Sequence, residues 1–461
     1  MDRWLGAALD YIPRWLELQL RITERPGMAV AVHHRQKTVL DLALGHARLR
    51  GRKPLTTAHQ FRIASHSKSF TAAGILKLRE ARRLRLDDAV GRHVPGLHAD
   101  IAGATLAQLL SHSAGVTRDG PDAGQFQDRQ PFLSRDQLLA QLREPPAIDA
   151  NTRFKYSNHG FALLGQVIEA ITGEAYADWM QREIVDAAGL RHTHPDALPG
   201  DKLMLSDGHS GRALLGRRMV VPGDQSTHAI APAGGFVSTA ADVARFYAQL
   251  MPAARRSVLG VDSRREMTRR HWTVPHAAAP TGYGLGVMHG AYQGWEWFGH
   301  TGSLQGFVSR TCALPLQDLT ITVLCNALDG FSWPWVDGML QILQAFAVNG
   351  APSAKTRDWS GRWWSLWGAT DLVPMREKVF AVSPGLAAPF TDATELTVLR
   401  RDHARMTQAN GYASHGEAAR LVRDTAGTVK EVWLGGSCNR PEAAVAREMR
   451  RRYAPADSAD N

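Results

Sequence analysis

The chain has 461 residues, of which 44% are apolar and 21% charged, and a net charge of +10. That is enough for a large domain and a smaller one, it is too apolar for a disordered chain, and no run of about 18 apolar residues predicts a membrane span. The clusters Arg82-Arg83, Arg269-Arg270 and Arg450 to Arg452 are short, scattered and free of interleaved aromatics, so they read as solvated surface and not as a nucleic-acid footprint.

In chain order, Trp4, Leu5, Ala8, Leu9, Ile12, Leu16 and Leu20 recur near helical period, which predicts an amphipathic helix capping the large domain. Its flanks do not form a signal peptide, and the chain has only three cysteines, Cys312, Cys325 and Cys438. Both features lead us to expect a reducing, cytoplasmic setting. Met28 to His34 and Thr38 to Leu44 form β-rich runs about the polar turn Arg35-Gln36-Lys37, a hairpin. Phe70 to Leu78 is apolar on nearly every side, predicting a buried helix. Short helices and loops are expected through Thr105 to Leu142 and Tyr156 to Thr172, the latter with Gly165 inside its helical pattern.

From Phe298 strand character returns. Gly306 to Ala313 and Leu319 to Asn326 predict a second hairpin, ahead of an apolar helix from Trp335 to Val348. Strands at both ends with helices between them predict an α/β fold of α+β type, an antiparallel sheet flanked by helices with a mostly helical subdomain. Gly350 to Thr356 has linker composition. Beyond it the runs Glu377 to Val382, Glu395 to Leu399 and Thr428 to Leu434 predict a small β-rich, barrel-like domain. The division expected is therefore 1–350 for the catalytic domain and 357–461 for the small one.

Three short patterns carry chemistry. Ser65-His66-Ser67-Lys68 stands directly before the buried helix, so that Ser65 and Lys68 share one helical face. A serine hydroxyl is nearly inert until a neighbour takes its proton, and a lysine in an apolar site has its pKa pushed down far enough to do so. Tyr156-Ser157-Asn158 opens a second helix: a phenol near an ammonium ionises more easily and can act as base, and an amide can orient a substrate carbonyl. His300-Thr301-Gly302, followed by Ser303, suits an edge strand lining a cleft, with the glycine allowing close backbone approach. Each pattern is weak alone, since a Ser-x-x-Lys arises about once by chance in a chain of this length. Their order and separation give them weight.

Together the three resemble the motif set of the β-lactamase-related serine hydrolases, which includes class C β-lactamases, D-alanyl-D-alanine carboxypeptidases, D-aminopeptidases and esterases. The stretches Leu109 to Gly115, Gly234 to Thr239 and Tyr283 to Gly286 are similar too, and the resemblance spans about residues 25 to 330. It implies acylation of Ser65, proton transfer by Lys68 and Tyr156, and substrate contacts by Asn158, His300, Thr301, Gly302 and Ser303. The backbone N–H groups of Ser65 and Ser303 would form the oxyanion hole. His300 stands where family members with Lys-Thr-Gly carry a lysine, which turns the expectation from β-lactamase toward D-aminopeptidase or esterase.

The reaction implied is hydrolysis of an amide or ester, on a D-amino-acid peptide or amide or a small ester, with no metal or organic cofactor. The partners expected are a small-molecule or short-peptide substrate and, in a homo-oligomer, further copies of the chain, with neither nucleic acid nor membrane. Acyl transfer to another acceptor, β-lactamase action and a non-catalytic binding role on the same fold stay open. An α/β-hydrolase elbow fails at Gly208-His209-Ser210-Gly211, where Arg212 stands in place of glycine. Neither His33-His34 nor His192-Thr193-His194 has the helix motif of a metallohydrolase.

Overall fold

The structure, a computed structural model, describes residues 2–197, 203–221 and 223–453. The chain divides into two units, Arg25–Val336 and Met1–Glu24 with Asp337–Asn461.

In the first unit the predicted N-terminal hairpin forms strands β1 (Gly27–His34) and β2 (Lys37–Arg48), followed by the short β3 (Lys53–Pro54). The chain then leaves the sheet for a helical region and returns in β4 (Trp272–Thr273), β5 (Gly282–Tyr283), β6 (Met288–Tyr292), β7 (Trp295–Leu304), β8 (Phe307–Leu314) and β9 (Leu319–Cys325). All nine join one antiparallel sheet in the order β3-β2-β1-β9-β8-β7-β6-β5-β4. The two ends of this segment thus meet at the sheet centre, where Met28 pairs with Cys325.

Between them lie the helices that carry the site. Helix α1 (Ser67–Glu80) is buried along almost its whole length, as the all-round apolar pattern requires. Helix α2 (Asn158–Thr172) packs beside it, and α3 (Ala240–Leu250) lies on β1 and β9. Gly165 in α2 has a steric reason: a Cβ there would stand 2.2 Å from Cγ of Pro232, so only glycine admits the neighbouring segment. Cys312 and Cys325 are free and buried, on β8 and β9, and Cys438 is free as well. Among the described residues no helix is long and apolar enough to cross a membrane.

In the second unit eight strands run in sequence order, β10 (Gly361–Ser365), β11 (Gly368–Met375), β12 (Lys378–Val382), β13 (Thr394–Arg400), β14 (His403–Gln408), β15 (Ala418–Arg423), β16 (Val429–Leu434) and β17 (Ser437–Asn439). Trp364 and Arg440 exchange backbone hydrogen bonds of 2.8 Å in both directions, closing the sheet toward a barrel. Trp359, Leu372, Val379, Leu396, Val398, Met406 and Val432 fill it.

The sequence division differs at the N-terminus. Helix Arg3–Thr23 groups with residues 337–461, because its polar groups find partners there. Tyr11 donates to Asp371 Oδ2 at 3.0 Å, the carboxylate that Arg362 grips through two bonds, and Gln19 Nε2 donates to the carbonyls of Pro384 and Leu386. Helical periodicity reports that a face is buried; it does not report against what. The helix Ser332–Asn349 carries the chain from one unit to the other, so the boundary falls inside a helix and ahead of the linker composition at 350 to 356.

Replacing Gly165 with Val forces overpacking against Pro232. It is expected to destabilise the first unit by about 1–3 kcal/mol, seen as a lowered urea midpoint; an unchanged midpoint contradicts this packing.

Candidate active site

The turn before α1 sets the geometry. Ala64 has φ +50°, in the left-handed region that a residue with a Cβ adopts at a cost of about 1–2 kcal/mol. It starts a short 3₁₀ turn, Ala64–His66, that presents Ser65 just ahead of the helix, one step before the first helical turn where the sequence places it. Lys68 follows in the first turn of α1, fully buried.

Four of the predicted residues meet directly. Lys68 Nζ lies 3.2 Å from Ser65 Oγ, 2.7 Å from Asn158 Oδ1 and 2.6 Å from the Ala233 carbonyl oxygen. Tyr156 donates its hydroxyl to Ser65 Oγ at 2.8 Å. Tyr156 and Asn158 are delivered by the start of α2, which Ser157 caps by accepting from the Gly160 N–H, so the capping role open to this triplet is filled as well.

Burial decides the protonation states. It pushes Lys68 well below its ordinary value of 10.5, with Asp119 opposing and Arg118 assisting. It also pushes Tyr156 up, more than the bond to Ser65 and the charge of Arg118 pull it down. The expectation of an easily ionised phenol is therefore corrected: the resting tyrosine keeps its proton, and Lys68 is the group that burial shifts toward its proton-accepting neutral form. A neutral amine has two N–H donors and one lone pair. The donors match Asn158 Oδ1 and the Ala233 carbonyl, which leaves the lone pair for the Ser65 hydroxyl.

His66, next to the serine, is no base for it. Its Nε2 lies 3.0 Å from Thr311 Oγ1 on β8 and its Nδ1 3.0 Å from the Ile63 carbonyl; burial lowers its pKa to about 4.

The third motif lines the cleft. β7 is paired with β6 only as far as Gly299; from His300 to Leu304 it pairs with β8 alone, so this half is an edge. A Cβ at Gly302 would stand 2.3 Å from the Ile63 carbonyl oxygen and 3.1 Å from the Ala64 Cβ, so glycine lets the edge press onto the turn that carries Ser65. Ser303 comes next along it, exposed. Thr301 shares the face of Ser303, opposite that of His300 and Gly302, with its Oγ1 3.6 Å from Met288 Sδ.

His300 is brought near but stays outside the hydrogen-bonded cluster of Ser65 and Lys68. It is buried, with Nε2 2.9 Å from the Tyr283 hydroxyl and Nδ1 against the Thr301 backbone. Burial, with His66 and Lys68 nearby, pushes it well below its ordinary range, so it is neutral at pH 7. Tyr283 and the buried His112 then form an aromatic wall with Tyr156. Tyr283 and His112 stand in stretches that the sequence marks without giving them a role. Asp119 and the Ala233 carbonyl carry no local signal; one is a loop acid and the other a backbone atom. Among the described residues no group of three His, Cys, Asp or Glu side chains could hold a metal ion.

A half-buried serine and tyrosine about a fully buried lysine, set against an antiparallel edge, make a β-lactamase/transpeptidase-like site, here followed by a barrel-like β-domain. The family model described as Beta-lactamase matches residues 14–333, and the chain belongs to that family. A D-aminopeptidase from Cereibacter sphaeroides is 27% identical over 373 residues, covering 77% of this chain and 66% of the relative, just under two thirds of its length. Among solved structures, the octameric penicillin-binding protein homologue from Pyrococcus abyssi has a TM-score of 0.65 at 21% identity, covering 94% of this chain and 99% of that one. A D-stereospecific amidohydrolase from Streptomyces sp. has a TM-score of 0.56 at 26% identity, over 71% and 95% respectively.

Because Lys68 accepts a proton only when neutral, the rate at which a fluorophosphonate labels Ser65 is expected to rise with pH through a midpoint below 10.5, then stay level until tyrosine ionises. Lys68→Arg, permanently charged, should label about 10²–10⁴-fold more slowly. A midpoint at or above 10.5 contradicts the assignment.

Proposed function

We propose that this protein is a serine hydrolase that cleaves an amide or ester, with D-amino-acid peptides or amides as the favoured class, through an acyl-enzyme on Ser65. One observation carries the reading: Ser65 Oγ lies between a buried lysine amine at 3.2 Å and a protonated tyrosine hydroxyl at 2.8 Å. These are an acceptor for the proton a nucleophile must lose and a donor for the one a leaving group must gain.

As Ser65 Oγ attacks the carbonyl carbon, its proton passes to Lys68 Nζ. The ammonium formed is held by Asn158 Oδ1 and the Ala233 carbonyl, with the Tyr156 ring centroid 4.8 Å away. The oxyanion is received by the N–H groups of Ser65 and Ser303. The bond to the leaving nitrogen or oxygen breaks as Tyr156 protonates it, and the tyrosine recovers its proton from Lys68. Water then attacks the acyl carbon by the same relay in reverse. The edge of β7 offers backbone groups to an extended substrate, in the manner of strand addition.

The D-amino-acid class is supported by the names of the Cereibacter and Streptomyces relatives. It is supported too by His300, whose neutral ring offers a substrate carboxylate no permanent charge, as β-lactams and D-alanyl-D-alanine termini would require. A homo-oligomer is part of the reading, supported by the octameric relative. So is a cytoplasmic site of action, supported by three free cysteines.

Ser65→Ala should reduce turnover of a D-amino-acid amide by about 10⁴-fold or more while leaving the unfolding midpoint close to that of the unmodified protein. Retained turnover would place the nucleophile elsewhere. A panel of D- and L-amino-acid amides, short acyl esters and β-lactams tests the substrate class: preference for L-amides or for β-lactams contradicts it.

A further inference from the structure

Asn158 is expected from its motif to face the substrate, yet both ends of its amide are engaged inside the protein. Oδ1 receives Lys68 at 2.7 Å, and Nδ2 donates to Asp119 Oδ1 at 2.5 Å. Asp119 is only 8% exposed, and none of the three sequence motifs contains it.

We propose that Asp119 is a positioning residue whose carboxylate fixes the orientation of the Asn158 amide and thereby aims the lone pair of Lys68 at Ser65. The inference rests on the reading of Ser65 as nucleophile and Lys68 as base. A carboxylate offers only acceptors, so it takes the nitrogen end of the amide and leaves the oxygen end for Lys68. With Oδ1 and the Ala233 carbonyl occupying both N–H groups of the neutral amine, the remaining contact, Ser65, meets the lone pair. A flipped amide would set Nδ2 donor against donor. The amine would then turn its lone pair toward Asn158 and away from the serine.

The loop that carries Asp119 is fastened to the same helical turn as Asn158. The N–H groups of Asn158 and His159 donate to the Arg118 carbonyl at 2.9 and 3.3 Å, and Ser157 Oγ donates to the Thr117 carbonyl at 2.6 Å. Negative charge at this helix N-terminus is also favourable. Asp119 therefore moves with the amide it orients. The titratable groups facing Lys68 are Asp119 and Arg118 on this loop, Tyr156 before α2, His112 beneath it and His300 on β7. Asp119 draws the amine's pKa upward and Arg118 downward.

The test is the pH dependence of Ser65 labelling by a fluorophosphonate, a probe with no amine or carboxylate for Asp119 to recognise. Asp119→Asn and Asp119→Ser are both made, so that a folding failure in one leaves the other. Each is expected to lower the plateau rate about 10–100-fold, as misplacement of a reacting group does, and to move the rising limb to lower pH because a negative charge beside the amine is lost. In an Asn158→Ala background the same substitutions should lower the plateau less than about twofold, since residues that act through one another are not additive. An unchanged plateau, or an equal loss in that background, overturns the inference while leaving the hydrolase reading intact. Absence of labelling in the unmodified protein overturns the hydrolase reading and this inference with it.

Discussion

The site depends on one arrangement, a lysine amine taken wholly out of water beside a serine hydroxyl. An ammonium so placed costs several kcal/mol even after relaxation, and each unit by which its pKa falls corresponds to about 1.4 kcal/mol against the charged form. The protein does not offset this with a carboxylate in contact; it supplies an amide oxygen, a backbone carbonyl and the serine itself. The amide oxygen and the backbone carbonyl take the two N–H groups of the neutral amine, the serine hydroxyl meets its lone pair, and the same two oxygens hold the ammonium once the serine proton has moved.

Everything around Lys68 holds those acceptors in place. Gly165 admits Pro232, immediately after which Ala233 offers its carbonyl, and Arg62 fastens the flanking chain by donating to the Gly223 and Gly235 carbonyls. Gly286, at φ +73°, lies so close to α1 that a Cβ would stand 2.8 Å from the Lys68 carbonyl oxygen. Gly302 does the equivalent on the strand side. The helices and the sheet edge approach the Ser65 turn as closely as backbone allows, which is what keeps water from Lys68.

Much of this is legible in the sequence, and for identifiable reasons. Both hairpins of the main sheet, the buried helix and three of the eight barrel strands follow from local periodicity, and Ser65, Lys68, Tyr156 and Asn158 stand in motifs that meet as their order implies. What sequence could not carry are effects that exist only in three dimensions. The partners of Tyr11 and Gln19 lie more than 300 residues away, so periodicity alone places the first helix with the large domain, whereas its hydrogen bonds tie it to residues beyond 370. The state of Tyr156 is a contest between a nearby cation and burial, and only the folded protein weighs them. His300 looks like a substrate contact in its triplet, but its ring nitrogens are committed to Tyr283 and the Thr301 backbone.

The central claim is that burial holds Lys68 well below its ordinary value of 10.5, which makes its neutral form available as the base for Ser65. It is tested most directly by NMR titration of protein labelled with ¹³Cε-lysine, with Lys68→Arg to assign the resonance. One lysine signal is expected to titrate clearly below the ordinary value of 10.5 and to be absent from the variant. A Lys68 signal that keeps its charge up to 10.5 would contradict it.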